Sequence, residues 1–216
     1  MRVLVTGFEP FAGARVNPSW EAVRDIQGPG LRTLRVPVVY RRAWRVIRRE
    51  LERGEAADAL LICGLARGRD AINVEALAMN RADAPWQTDN AGRRARGAAL
   101  VAGAPDALFA TAPVRRIAQA INAAGVPALV SYYGGAYVSN ATLYEALLWT
   151  RRTRRRMAIT YLHVPASPEM VVGTAIPSLP VAAIRLAIEA AVAALGVQRK
   201  TDAPLRRWPS VLPELV

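Results

Sequence analysis

The stretch Met1-Arg-Val-Leu-Val-Thr-Gly-Phe-Glu-Pro-Phe-Ala-Gly13, continued by Asn17-Pro-Ser-Trp-Glu-Ala-Val23, sets the architecture of this chain. Residues 2–6 form a short apolar run that ends on Gly7, and the segment from there to Gly13 has neither a helical nor a strand period. Asn17 offers a side-chain oxygen to the free N–H groups of a helix start. Pro18 suits the first helical position, where its missing N–H would have had no partner. The passage reads as strand, loop, helix.

Outward from it, the same alternation recurs. Further strands are predicted at residues 33–39, 59–63, 128–132 and 158–164. Between them Trp44, Ile47 and Leu51 repeat at helical spacing with arginines on the other faces. Val114, Ile117 and Ile121 do the same before Gly125, as do Val181, Ile184, Ile188, Val192 and Leu195 before Gly196. Apolar strands alternating with amphipathic helices predict a three-layer α/β/α sandwich around a largely parallel or mixed sheet, as one domain over residues 1–196. Residues 197–216 are proline-rich, lack period and read as an irregular tail; residues 81–96 and 151–156 read as loops.

Composition narrows the class. The 216 residues are 52% hydrophobic and 21% charged, which fits a globular domain with a sizeable core rather than a fibrous or disordered chain. Cys63 is the only cysteine, so no intramolecular disulfide can form and a reducing compartment is expected. The first residues lack a signal-peptide core and no run approaches the roughly 20 apolar residues of a membrane span, so a cytoplasmic protein is expected. The net charge of +12 makes polyanion binding a rival reading, with Arg151-Arg-Thr-Arg-Arg-Arg156 its densest patch. No nucleic-acid motif accompanies that patch, and a charge run is ordinarily a solvated face, so nucleic acid is not the expected partner. One histidine and one distant cysteine do not make a metal set, and the Gly64 to Arg69 segment lacks the Lys-Ser/Thr end of a phosphate loop. No metal and no cofactor are expected.

Three polar residues stand where chemistry collects. His163, the only histidine, closes the apolar run Met157-Ala-Ile-Thr-Tyr-Leu, at the strand end where α/β folds gather ligands; the bland alternative is a structural histidine. Ser139 precedes the helical pattern Leu143, Tyr144, Leu147, Leu148, so it is either a nucleophile in the positive end-field of a helix or an N-cap. Glu75 lies among apolar residues, where a carboxylate needs a partner, and reads either as a histidine-orienting group or as an ordinary strand glutamate. Cys63 sits in Ala59-Leu-Leu-Ile-Cys and reads as a buried hydrophobe, not a nucleophile.

Taken together, Val5-Thr-Gly-Phe-Glu-Pro-Phe-Ala-Gly13, Val16-Asn-Pro-Ser-Trp20, Gly64-Leu-Ala-x-Gly-Arg69, Glu75-x-Leu-Ala-x-Asn80, Gly103-Ala-Pro105, Tyr137-Val-Ser-Asn140 and His163-Val-Pro165 resemble the ordered motifs of the pyroglutamyl peptidase I (pyrrolidone carboxyl peptidase) family over roughly residues 1–195. The resemblance implies an intracellular, often tetrameric cysteine peptidase that removes N-terminal pyroglutamate from peptides with a Cys-His-Glu triad. Glu75 and His163 match two triad positions, and Ser139 falls on the cysteine. Phe8 and Phe11 match the aromatics that enclose the lactam ring, while Asn17 and the backbone around Leu65 fall where the family completes the pocket. Ala76 stands where the family usually has Arg, and Phe11-Ala-Gly13 replaces its Phe-Gly-Gly. A serine hydroxyl cannot be held ionised as a thiolate can, so reduced or abolished hydrolysis is expected. The alternative is a non-catalytic binder of pyroglutamate or of peptides blocked by it.

Overall fold

The computed structural model describes residues 1–53 and 56–196; the 197–216 segment read as an irregular tail lies outside them. In chain order the elements are β1 (Val3–Phe8), α1 (Pro18–Val23), β2 (Leu31–Val36), α2 (Arg42–Arg53), β3 (Ala59–Leu65), β4 (Ile72–Glu75), β5 (Leu77–Met79), β6 (Ala82–Thr88), β7 (Arg94–Ala98), β8 (Ala107–Phe109), α3 (Val114–Ala123), β9 (Ala128–Ser131), α4 (Val138–Thr153), β10 (Ala158–Val164) and α5 (Val181–Gly196). Six strands form the central sheet in the order β2-β1-β3-β10-β4-β9. The first four run parallel to one another, whereas β4 is antiparallel to β10 and parallel to β9, so the sheet is mixed.

Successive strand residues point to opposite faces, and here both faces are covered. Leu4, Phe8, Leu60, Ile62, Ile159 and Tyr161 pack on one side with α2 and α4. Val5, Leu61, Cys63, Val74, Leu162 and Val164 pack on the other with α1, α3 and α5. The periodic residues singled out in the sequence do this packing: Trp44, Ile47 and Leu51 on α2, Ile117 and Ile121 on α3, Ile184, Ile188 and Leu195 on α5. Gly7 is required where α1 crosses β1, because a Cβ there would stand 2.6 Å from the Trp20 Cα.

The structure corrects several local readings. β1 runs on through Gly7 and Phe8, and β3 through Gly64 and Leu65, because a parallel neighbour continues to supply hydrogen-bond partners beyond the apolar run. Residues 81–96 are not a loop but the β6–β7 hairpin. Its turn is organised by Asp89, whose Oδ1 accepts from the N–H groups of Ala91 and Arg93 and whose Oδ2 accepts from that of Tyr40. Within 151–156, α4 continues to Thr153 before Arg154 turns left-handed, in keeping with the good helix propensity of arginine.

Candidate active site

The parallel strands β1, β3 and β10 end along one edge of the sheet, and this edge carries Phe8, Leu65 and His163. Phe8 is buried at the end of β1, while Leu65 and Phe11 are half-buried. His163 pairs across to Gly64 on one side and Asn73 on the other. Glu75 lies opposite Tyr161, one rung deeper on the same face, so its carboxylate reaches diagonally to His163. The His163 Nδ1 and Glu75 Oε1 are 2.8 Å apart, and both residues are buried, at 4% and 1% exposure. With Nδ1–H donating to the carboxylate, Nε2 is left as the proton acceptor.

Two neighbours hold this pair. The Thr160 hydroxyl donates to the Glu75 carbonyl at 2.9 Å. Gly134 lies flat against the pair: a Cβ there would stand 3.2 Å from the Glu75 Cδ and 3.3 Å from the His163 Cε1. Glu75 Oε2 is buried and has no hydrogen-bond partner among the described residues, where His163 is the one side chain that answers this carboxylate.

Ser139 arrives from a different element. It is the second residue of α4, and Tyr137, not Ser139, occupies the cap position without a capping side chain. The N-cap alternative is therefore overturned. The Ser139 hydroxyl makes no hydrogen bond among the described residues, and it stands beside first-turn N–H groups that a helix leaves without internal partners. Asn140 anchors this start: its Oδ1 accepts from Met79 N–H at 2.8 Å, and its Nδ2 donates to the carbonyls of Met79 and Arg81, both at 2.9 Å.

These pieces meet around one recess. Phe8, Phe11, Asn17, Leu65, Ser139 and Tyr161 all line it, and the Tyr161 ring stands 4.5 Å from that of His163. Asn17 caps α1 as expected, with Oδ1 accepting from Ser19 N–H at 3.1 Å and Ser19 Oγ–H at 2.8 Å. Its Nδ2 donates to the Glu9 carbonyl at 2.9 Å, and the other N–H makes no hydrogen bond among the described residues. Across the rim, Arg69 donates to the Tyr133 carbonyl at 3.0 Å, tying the loop after β3 to the approach of α4. No hydrogen bond joins Ser139 to His163. The sequence reading missed Tyr161, Gly134 and Asn140; Tyr161 was discernible, since it precedes His163 by two on one strand and must share its face.

Known proteins share this sequence pattern and fold. A family model described as pyroglutamyl peptidase matches residues 1–198. The chain is 37% identical to a pyrrolidone-carboxylate peptidase of Thermococcus kodakarensis, covering 89% of this chain and 94% of that protein. It is 40% identical to one from Gloeobacter violaceus, covering 80% and 85%. The chain belongs to the pyroglutamyl peptidase family. Among solved structures of the family, pyroglutamyl peptidase I of Bacillus amyloliquefaciens superposes with a TM-score of 0.87 at 33% identity, over 91% of this chain and 95% of that one. The chain is thus a hydrolase of this family on an α/β scaffold.

Features outside the site take ordinary roles within this family fold. Cys63 is fully buried on the face of the sheet opposite His163, and burial pushes its thiol far up from the usual range. In the arginine run, Arg151 and Arg152 occupy the last turn of α4, where cations oppose the helix dipole, and Arg155 stacks 4.6 Å above the Trp149 ring. Among the described residues, no helix is long and apolar enough to cross a membrane, and no group of three or more His, Cys, Asp or Glu gathers as a metal set.

Proposed function

We propose that the chain removes N-terminal pyroglutamate from peptides, slowly, with Ser139 as nucleophile, His163 as general base and acid, and Glu75 as the group that orients His163. The observation that carries the reading is the buried Glu75–His163 pair at 2.8 Å, beside an apolar recess that also holds Ser139. Phe8 and Phe11 suit the faces of a flat neutral lactam, and the spare N–H of Asn17 suits one of its polar atoms. Ser139 Oγ attacks the carbonyl that joins pyroglutamate to the next residue, and His163 takes the hydroxyl proton. The N–H groups at the start of α4 receive the oxyanion. His163 then returns the proton to the leaving amine, and water hydrolyses the ester.

Slowness follows from the nucleophile. A serine must lose its proton as it attacks, and here it has no ready hydrogen bond to the base, whereas a cysteine at a helix start would hold much of its charge in advance. Substrate peptides, a homotetramer and a cytoplasmic location come into this proposal from the family resemblance.

The test is release of a fluorescent amine from a pyroglutamyl amide by the chain and by its Ser139→Cys variant, with pyroglutamate binding measured in parallel. Cysteine is expected to raise turnover by about 100-fold or more. It should also make the enzyme sensitive to thiol reagents, to which buried Cys63 leaves the parent indifferent. A variant that binds pyroglutamate but turns over no faster would refute the assignment and leave a binding protein.

A further inference from the structure

The buried and half-buried tyrosines Tyr40, Tyr137, Tyr144 and Tyr161 differ in one respect. Tyr40 donates its hydroxyl to the Ala136 carbonyl, Tyr137 to that of Thr88 and Tyr144 to that of Pro105. Tyr161, 2% exposed, has no hydrogen bond to its hydroxyl among the described residues, although a buried hydroxyl is normally paired. Its surroundings are built to admit that oxygen rather than to answer it. A Cβ on residue 64 would lie 1.8 Å from Tyr161 Oη, so glycine makes the room. The Tyr161 ring stands 4.5 Å from that of His163 and 6.2 Å from that of Phe8, and the residue lines the recess with Ser139 and Asn17.

Burial above all pushes the Tyr161 phenol well above its usual range, so the hydroxyl keeps its hydrogen and can donate. Donors are otherwise scarce in a recess walled by Phe8, Phe11, Leu65 and Tyr137; the Asn17 amide has a single N–H left. A pyroglutamyl ring brings one strong acceptor, its lactam carbonyl oxygen.

Resting on the proposed pyroglutamyl specificity, we propose that Tyr161 Oη donates a hydrogen bond to the lactam carbonyl and so determines selection of that ring over an apolar ring of the same size. Tyr161 is then a specificity-determining residue, and Gly64 is the glycine that lets its oxygen reach the ligand. A recess-facing donor that a ligand covers without accepting from it penalises that ligand, which is how a pocket rejects an isostere lacking the polar atom.

Calorimetric titration of the chain and of Tyr161→Phe tests this with three ligands. These are pyroglutamate amide, the oxocyclopentane carboxamide that keeps the ring carbonyl but replaces the ring N–H by a methylene, and cyclopentanecarboxamide, which has neither. Tyr161→Phe is expected to weaken both ligands with a ring carbonyl about tenfold, the worth of one buried hydrogen bond, and to leave cyclopentanecarboxamide bound as tightly as before or more tightly, since the unanswered donor is gone. An equal loss for all three, or no loss, would overturn the proposal by assigning Tyr161 to packing alone. Thermal melting checks that the variant folds. Should it not, the parent decides: the proposal requires it to bind the oxocyclopentane ligand more tightly than cyclopentanecarboxamide. A parent that binds no pyroglutamate amide refutes the functional reading itself, which is a different outcome from binding without carbonyl selectivity.

Discussion

Removing His163 should unbalance the interior in a way that the geometry allows to be worked out. Glu75 is 1% exposed, and among the described residues its Oε1 is answered by no side chain but His163, through Nδ1, and its Oε2 by none. His163→Ala therefore leaves a buried carboxylate with both oxygens unpaired. Breaking a buried pair from one side costs about 3–5 kcal/mol, which for a domain of this size lowers Tm by roughly 2–4 °C per kcal/mol. Adding Glu75→Gln to His163→Ala replaces the stranded charge by a neutral amide, whose unpaired groups cost about 1–3 kcal/mol. The double variant should thus be about 2 kcal/mol more stable than His163→Ala alone, although it carries one more substitution. Urea unfolding at neutral pH, followed by tryptophan fluorescence, measures all four members of the cycle. A His163→Ala loss below about 1 kcal/mol, or a double variant no more stable than the single one, would refute the reasoning by showing that the carboxylate reaches solvent or another partner. In a Ser139→Cys background, Glu75→Gln should also lower turnover by about three to four orders of magnitude, because the imidazole loses the charge that fixes its tautomer and stabilises its protonated form.

Two further outcomes follow from the packing and the charges. Gly64→Ala places a Cβ 1.8 Å from Tyr161 Oη and 2.9 Å from its Cζ; the overpacking should cost about 2–3 kcal/mol, and Tyr161→Phe should relieve part of it, so that thermal melts show the two changes to be non-additive. On α4, burial lifts the Glu145 carboxyl to about 7 against the pull of Arg41, Arg45 and Arg93. A carboxyl raised on folding is protonated in the folded chain before the unfolded one, so its penalty is absent below the ordinary glutamate value of about 4.3, grows up to about pH 7 and is constant above. Relative to the parent, Glu145→Gln should therefore gain about 2–3 kcal/mol in stability between pH 4.5 and pH 8.5, read by denaturant unfolding at the two values; a pH-independent difference would count against a buried Glu145.

Much of the architecture was legible in the sequence because it rests on local regularities. The helical spacing of Trp44, Ile47 and Leu51, the cap and proline at Asn17-Pro18, and the apolar run that ends at His163 each express a periodicity or a backbone preference that acts within a dozen residues. Motif order singled out Glu75, Ser139 and His163, together with Phe8, Phe11, Asn17 and Leu65, as candidates. The short strands β4, β5 and β8 and the β6–β7 hairpin escaped. Three or four residues carry little period, and the hairpin is specified by an aspartate that bonds to Tyr40, 49 residues away.

What only the tertiary structure decided is how distant residues stand to one another. Composition placed Glu75 among apolar neighbours, but the reversed direction of β4 is what sets it opposite Tyr161 and one rung below His163, close enough for a 2.8 Å contact. The same geometry put Cys63 on the far face of the sheet, ruled out Ser139 as a cap, and left the Tyr161 hydroxyl without a partner among the described residues. Local sequence determines which elements form because its forces act between near neighbours along the chain. Strand order, direction and register, which bring residues 75, 139 and 163 to one edge, come from burying both faces of the sheet at once.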